Sequence, residues 1–265
     1  MQEYLKYLKV YKILALNNFA ALVGSRLDFW LLILGKLIRM GFLFVWVLAI
    51  FNFINKLAGY TLGQTLLFFA TFNLVDILVQ VFFFRGFWFI QTYVKEGGFD
   101  RILLYPINEI FLTAFKITDW MDVMTLIPAG ALVVYAVTLL PTAPSFAQII
   151  LYLLLCLNGV LIAFAFNLFI ASLTFYTPET ENLFLLYRDL MTVGRYPTEI
   201  FSGPLQILFT FVLPVAVIVA FPTKVFLGIL DWKLVWYAFA LSLTLVFLAV
   251  KFWNHSLKHY SSVSS

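Results

Sequence analysis

Charge is what this chain has little of. Of its 265 residues only 11% are Asp, Glu, Lys or Arg, while 63% are hydrophobic and 19% aromatic. A soluble domain carries about 25% charged residues. The polar surface needed to hold a chain of this length in water is missing, which points to a polytopic membrane protein. Cysteine is nearly absent too. Cys156 stands alone in an apolar run, which excludes an intrachain disulfide and a Cys/His metal set and leaves it as a small buried hydrophobe. No block of bases exists either. The net charge of +4 is spread over separate segments, so nucleic acid is not an expected partner, and the bases report membrane orientation instead.

The machinery of soluble enzymes is also missing. "GKL" at Gly35 lacks the leading glycine and the hydroxyl of a phosphate-binding loop, and no nucleophile elbow occurs. Asp119 and Asp122 in "TDWMD" share a helical face like a metal pair, but they follow Thr118 at a helix start. Acids there suit the helix dipole, and Thr118 suits the cap. His255 and His259 are spaced i, i+4 without a metalloprotease glutamate between them, so they read as a solvated tail face. No catalytic residue, metal ligand or bound cofactor is assigned. No small-residue cleavage pattern follows Lys6, Lys9 and Lys12, and no cleaved signal is expected.

What is present is a series of apolar runs. Crossing the hydrocarbon takes about 20 apolar residues as helix, and runs this continuous are not barrel strands. Spans are expected within Leu31–Ile54, Thr61–Phe84, Val123–Leu140, Phe146–Phe175 and Leu234–Phe252. Two segments compete for a sixth. Leu205–Phe221 is the more apolar, whereas Leu183–Phe201 carries Arg188, Asp189, Arg195 and Glu199. The bases place both termini inside: Lys6, Lys9, Lys12 and Arg26, then Arg85, Lys95, Arg101 and Lys116, then Lys251 and Lys258. Near the N-terminus, Tyr4, Tyr7, Leu8, Tyr11, Leu14 and Ala15 fall on one helical face. Glu3, Lys6, Lys9 and Asn17 fall on the other, as in an amphipathic helix lying among lipid headgroups.

Ionisable groups inside spans are functional candidates because placing them there is costly. Lys36 and Arg39 share a face and either snorkel to the headgroups or line a polar mouth for an anionic headgroup. Asp76, one turn after Asn73, is protonated, paired with Lys36 or Arg39, or facing a pathway. A stand-alone proton-coupled carrier using Asp76 is the alternative function.

The stretch "VKEGGFDRILLYPIN" breaks the apolar pattern, and "GRYPTEIFSGPLQILFTFVLPVAVIVAFP" is punctuated by prolines. With the N-terminal amphipathic helix and the basic tail, these resemble the membrane subunits of ABC-2-type exporters, in the branch of short permeases often encoded in pairs beside one ATPase. Tyr105 departs from that pattern, standing where the branch commonly has arginine before Pro106. The resemblance covers the whole chain. It implies a single permease domain over 1–265, with six transmembrane helices and an interfacial helix over 1–26. It further implies an inner-membrane location, a second permease, and cytoplasmic ATPase subunits that hold ATP and magnesium. A cytoplasmic loop over 85–120 would couple to the ATPase through Glu96, Gly97, Gly98, Asp100, Arg101, Leu104 and Pro106. On this reading Leu183–Phe201 is the fifth crossing and 202–222 an external re-entrant segment. Arg188, Asp189, Arg195, Tyr196, Pro197 and Asp76 would then line the pathway or a subunit contact. Arg188 and Arg195, seven apart, share one face.

Overall fold

The computed structural model describes residues 2–23, 26–177 and 179–261. The side chains of Glu3, Tyr4 and Arg26, used above for the N-terminal face and for orientation, lie outside the described residues. The described chain is helical throughout, save for turns and an isolated bridge between Leu57 and Tyr60. Helices α1 (Gln2–Val23) and α2 (Arg26–Phe51) lead into α3 (Leu62–Lys95). Two short helices follow, α4 (Gly98–Leu104) and α5 (Glu109–Phe115), then α6 (Trp120–Thr138) and α7 (Phe146–Leu173). The chain ends with α8 (Glu181–Met191), the bent pair α9 (Pro204–Val212) and α10 (Ala216–Phe226), and α11 (Trp232–Ser256). Five of these segments are long and apolar enough to cross a membrane, and the bent pair raises the number to six.

Helix α3 is the axis of the molecule. Gln64 closes its first turn by accepting a hydrogen bond from the Thr61 N–H at 2.9 Å. Leu66, Leu67, Phe68, Phe69 and Ala70 are all buried, so this helix is enclosed nearly all round. The expected boundary at Phe84 is corrected: the helix continues to Lys95 through a π-turn at Gln80–Phe84 and a slight break at Phe89. Hydropathy marks where the apolar run stops. It does not mark where the backbone stops being helical, and "RGFWFIQTYVK" contains no breaker strong enough to end a helix.

Helix α7 packs along α11 and begins with a capping box between Ser145 and Gln148. Asn158, fully inside, donates to the Ala238 carbonyl at 3.1 Å and accepts from the Ser242 hydroxyl at 2.5 Å. A buried amide satisfied this way is worth more than an exposed one. Helix α6 is capped by Asp119, whose carboxylate accepts from the N–H groups of Met121 and Asp122. The cap is therefore one residue later than the expected Thr118.

The apolar segment Leu205–Phe221 is not one straight helix. Helices α9 and α10 meet at 71°, with Pro214 in the break, where its ring removes a donor and blocks helical continuation. The segment 181–200 instead runs antiparallel beside α3. Gln91 donates to Glu181 at 3.3 Å near one end, and Phe84 and Trp88 meet the Phe184 ring. Arg195 lies 5.0 Å from the Phe72 ring, and Tyr60 donates to Glu199 at 3.1 Å near the other end.

The face of α1 also needs correction. Tyr7 packs edge-on against Phe111, and Tyr11 against Phe115. Asn18 donates to the Lys116 carbonyl, and Trp120 donates to that of Ala15. Tyr7 and Tyr11 thus face protein, while Leu5, Leu8, Ile13 and Leu16 are exposed beside Lys9 and Lys12. Helical periodicity picks out a face but does not say whether protein or lipid covers it.

Candidate functional sites: a charged cleft and the α4 turn

Two features stand out. The first is a cleft of about 530 Å³ bounded by α2, α3, α6 and the 188–195 segment. Each wall contributes at helical spacing. Helix α2 supplies Lys36 and Arg39, and α3 supplies Asn73, Asp76 and Gln80 along one stripe. Asp122 comes from α6, and Arg188, Asp189 and Arg195 come from the segment beside α3. The sequence-predicted Asp76, Arg188, Asp189 and Arg195 are therefore brought together, although 112 positions separate the first from the second.

The charges sort into a bonded set and an open set. Lys36 sits 2.7 Å from Asp122 and 4.0 Å from Asp119, and Arg85 sits 3.0 Å from Asp119. This corrects the snorkelling reading of Lys36, which turns inward to a carboxylate. Asp119 and Asp122 thus cap α6 and also neutralise two bases. Arg39, Arg188 and Arg195 have no ion-pair partner within 4.0 Å among the described residues. Arg195 stacks on Phe72, and its Nε is buried without a hydrogen-bond partner. Tyr196 and Pro197 do not line the cleft; Tyr196 packs against the core and Pro197 is buried.

The second feature is the turn after α3. Gly97 takes a left-handed conformation, φ 70°, that only glycine adopts freely, and it reverses the chain into α4. Phe99 and Ile102 anchor α4 in the core, with Phe99 against Phe175, Trp253 and Tyr260. The apolar residues of α4 are thereby split. Ile102 faces inward, whereas Leu104 is 82% and Tyr105 60% exposed. Glu96, Arg101 and Pro106 are also exposed, and Gly98 opens the helix. Asp100 sits in the first turn of α4 and accepts from the Tyr260 hydroxyl at 2.9 Å. Burial, then Asp100, pushes the Tyr260 phenol up to about 12. Helix α1 holds the far side: Lys6 donates to the Pro106 carbonyl, and the Asn108 N–H donates to the Tyr7 hydroxyl. Burial, and next Arg101, lowers the Lys116 ammonium. These clamps were not legible in sequence, because they join both ends of the chain to its middle.

Among the described residues no group of three His, Cys, Asp or Glu is placed to hold a metal ion. Cys156 is buried and free. No curated protein and no solved structure gives a match to the chain. A family model described as ABC-2 family transporter protein matches residues 37–264. That range takes in the chain from the middle of α2 onward, with the α4 turn and every cleft residue named above except Lys36. The chain belongs to the ABC-2 family of transporter membrane proteins and is a permease component of an ABC transporter.

Proposed function

We propose that this chain pairs with a second permease, identical or related, and exports a substrate across the inner membrane. Power comes from separate cytoplasmic ATPase subunits that bind ATP and magnesium. The observation that carries this reading is the α4 turn. An exposed apolar tip, Leu104–Tyr105, is flanked by the exposed charges Glu96 and Arg101 and rests on the buried anchors Phe99 and Ile102. A tip that must transmit force needs a partner-facing surface and a rigid footing, and this one has both. The basic segments on the α4 side favour a cytoplasmic location for both termini. In this topology 181–200 crosses beside α3, and the bent pair α9–α10 dips in from the outside. Helix α1, with its exposed leucines and lysines, rests against lipid headgroups.

Purification of the tagged chain in mild detergent should bring down a nucleotide-binding subunit. Reversing Glu96, Asp100 and Arg101 together should leave membrane insertion intact while abolishing transport or ATPase association. Wild-type coupling in that triple variant would sink the assignment of α4. The second reading, a proton-coupled carrier, draws on Asp76 in the wall of the cleft. It requires transport by the purified chain alone under a pH gradient, and loss of that transport in Asp76→Asn.

A further inference from the structure

The cleft carries an inference about what it binds, which rests on the pathway reading above. Of its four bases, Lys36 is spoken for by Asp122. The remaining three, Arg39, Arg188 and Arg195, face two acids, Asp76 and Asp189, so one positive charge is left over. Among the described residues none of the three guanidinium groups has a carboxylate within 4.0 Å. Each guanidinium offers five N–H donors in a planar fork suited to phosphate and carboxylate oxygens. Unpaired cations at membrane depth are expensive unless something anionic meets them. The cleft is also amphipathic. Met40, Phe42 and Leu43 of α2 form its apolar edge, and Phe42 is 67% exposed on the outer surface of the molecule. A ligand can therefore enter sideways from lipid with its charged end inward.

We propose that the cleft binds the anionic group, phosphate or carboxylate, of a membrane-soluble amphiphile, held by Arg39, Arg188 and Arg195 with its apolar part along Met40, Phe42 and Leu43. Asp76 and Asp189 offset part of the positive charge of the cleft without pairing with it.

The test uses the full-length chain purified in a neutral detergent, with thermal unfolding and binding titrations as readouts. Dodecyl phosphate should raise the melting temperature saturably. Dodecyltrimethylammonium and inorganic phosphate alone should not. The double variant Arg188→Gln/Arg195→Gln should weaken dodecyl phosphate binding by about tenfold or more for each guanidinium removed. Arg39→Lys, which keeps the charge and loses the fork, provides a variant that stays folded if the double variant does not, and it should weaken binding less. Stabilisation by the cationic amphiphile but not the anionic one would overturn the proposal, as would an unchanged response in the folded variants. Inorganic phosphate competing at equal affinity would overturn the amphiphile assignment. ATPase co-purification is read separately on the same variants and should persist. Its loss from the wild type would count against the exporter reading, not against the ligand.

Discussion

At the scale of single residues, the least tolerant positions are those where backbones touch. A Cβ on Gly86 would lie 2.2 Å from the Ala114 carbonyl oxygen and 2.3 Å from that of Thr113. Neither neighbour is a side chain that can swing away. Gly86→Ala must therefore push α3 from α5, at a cost of about 1–3 kcal/mol. A lower melting temperature in detergent would show it, with Gly35→Ala as a control, since nothing lies within 4 Å of that position. Lys36 poses a different problem. Its removal strands Asp122, whose side chain is 10% exposed. Lys36→Met should cost about 1–3 kcal/mol, and the double variant Lys36→Met/Asp122→Leu should recover much of the loss, because a buried acid without a partner costs more than an apolar pair. A double variant no better than the single would show that Asp122 is stabilised by something other than Lys36.

At the scale of elements, α4 is held from three sides: by Phe99 in the core, by α1 through Lys6 and Tyr7, and by the tail through Tyr260. The Tyr260 contact ties α4 to the end of α11. Tyr260→Phe keeps the ring against Phe99 and Phe175 and removes only the hydroxyl donated to Asp100. Helix and membrane insertion should survive, whereas transport per ATP hydrolysed should fall, with faster proteolysis within 96–106. Unchanged coupling would make the contact a mere tether. Here the limits of the sequence are plain. The apolar runs at Leu31–Ile54 and Phe146–Phe175 gave α2 and α7 nearly in full, and the glycine pair gave the turn into α4. The continuation of α3 to Lys95, the Asp119 cap and the pairing of Lys36 with Asp122 were not legible. The ion pair is set by a neighbour distant in sequence, the cap by which of two adjacent capping residues the backbone selects, and hydropathy counts only local apolar content. Half of the cleft was legible, since Asp76, Arg188 and Arg195 are charges in apolar surroundings. Their convergence depends on 181–200 lying against α3, which no spacing rule supplies.

At the scale of the whole molecule the open question is which way the chain passes between Thr180 and Asp231. Length and apolarity favour the proline-broken region, but its two halves meet at 71°. The 181–200 segment carries charge, yet its contacts track α3 from Gln91 to Tyr60. Its twenty residues reach about 30 Å at helical rise, the thickness of the hydrocarbon. The ion pair between Lys224 and Glu199 joins the end of the bent pair to the end of that segment, on the Tyr60 side. A hairpin dipping in from the outside satisfies all of these contacts, whereas one straight crossing separates Ser202 from Ile229 by the membrane. Cysteine labelling decides between them. In a Cys156→Ala background, Phe53→Cys stands for the outside of the proposed topology and Leu104→Cys for its inside, both sites being highly exposed. Ser202→Cys and Ile229→Cys should both react with an impermeant maleimide from the side that labels Phe53→Cys. If Ser202→Cys instead reacts with Leu104→Cys, the bent pair is a broken span, 181–200 stays inside, and Arg188 and Arg195 meet cytoplasm instead of lipid.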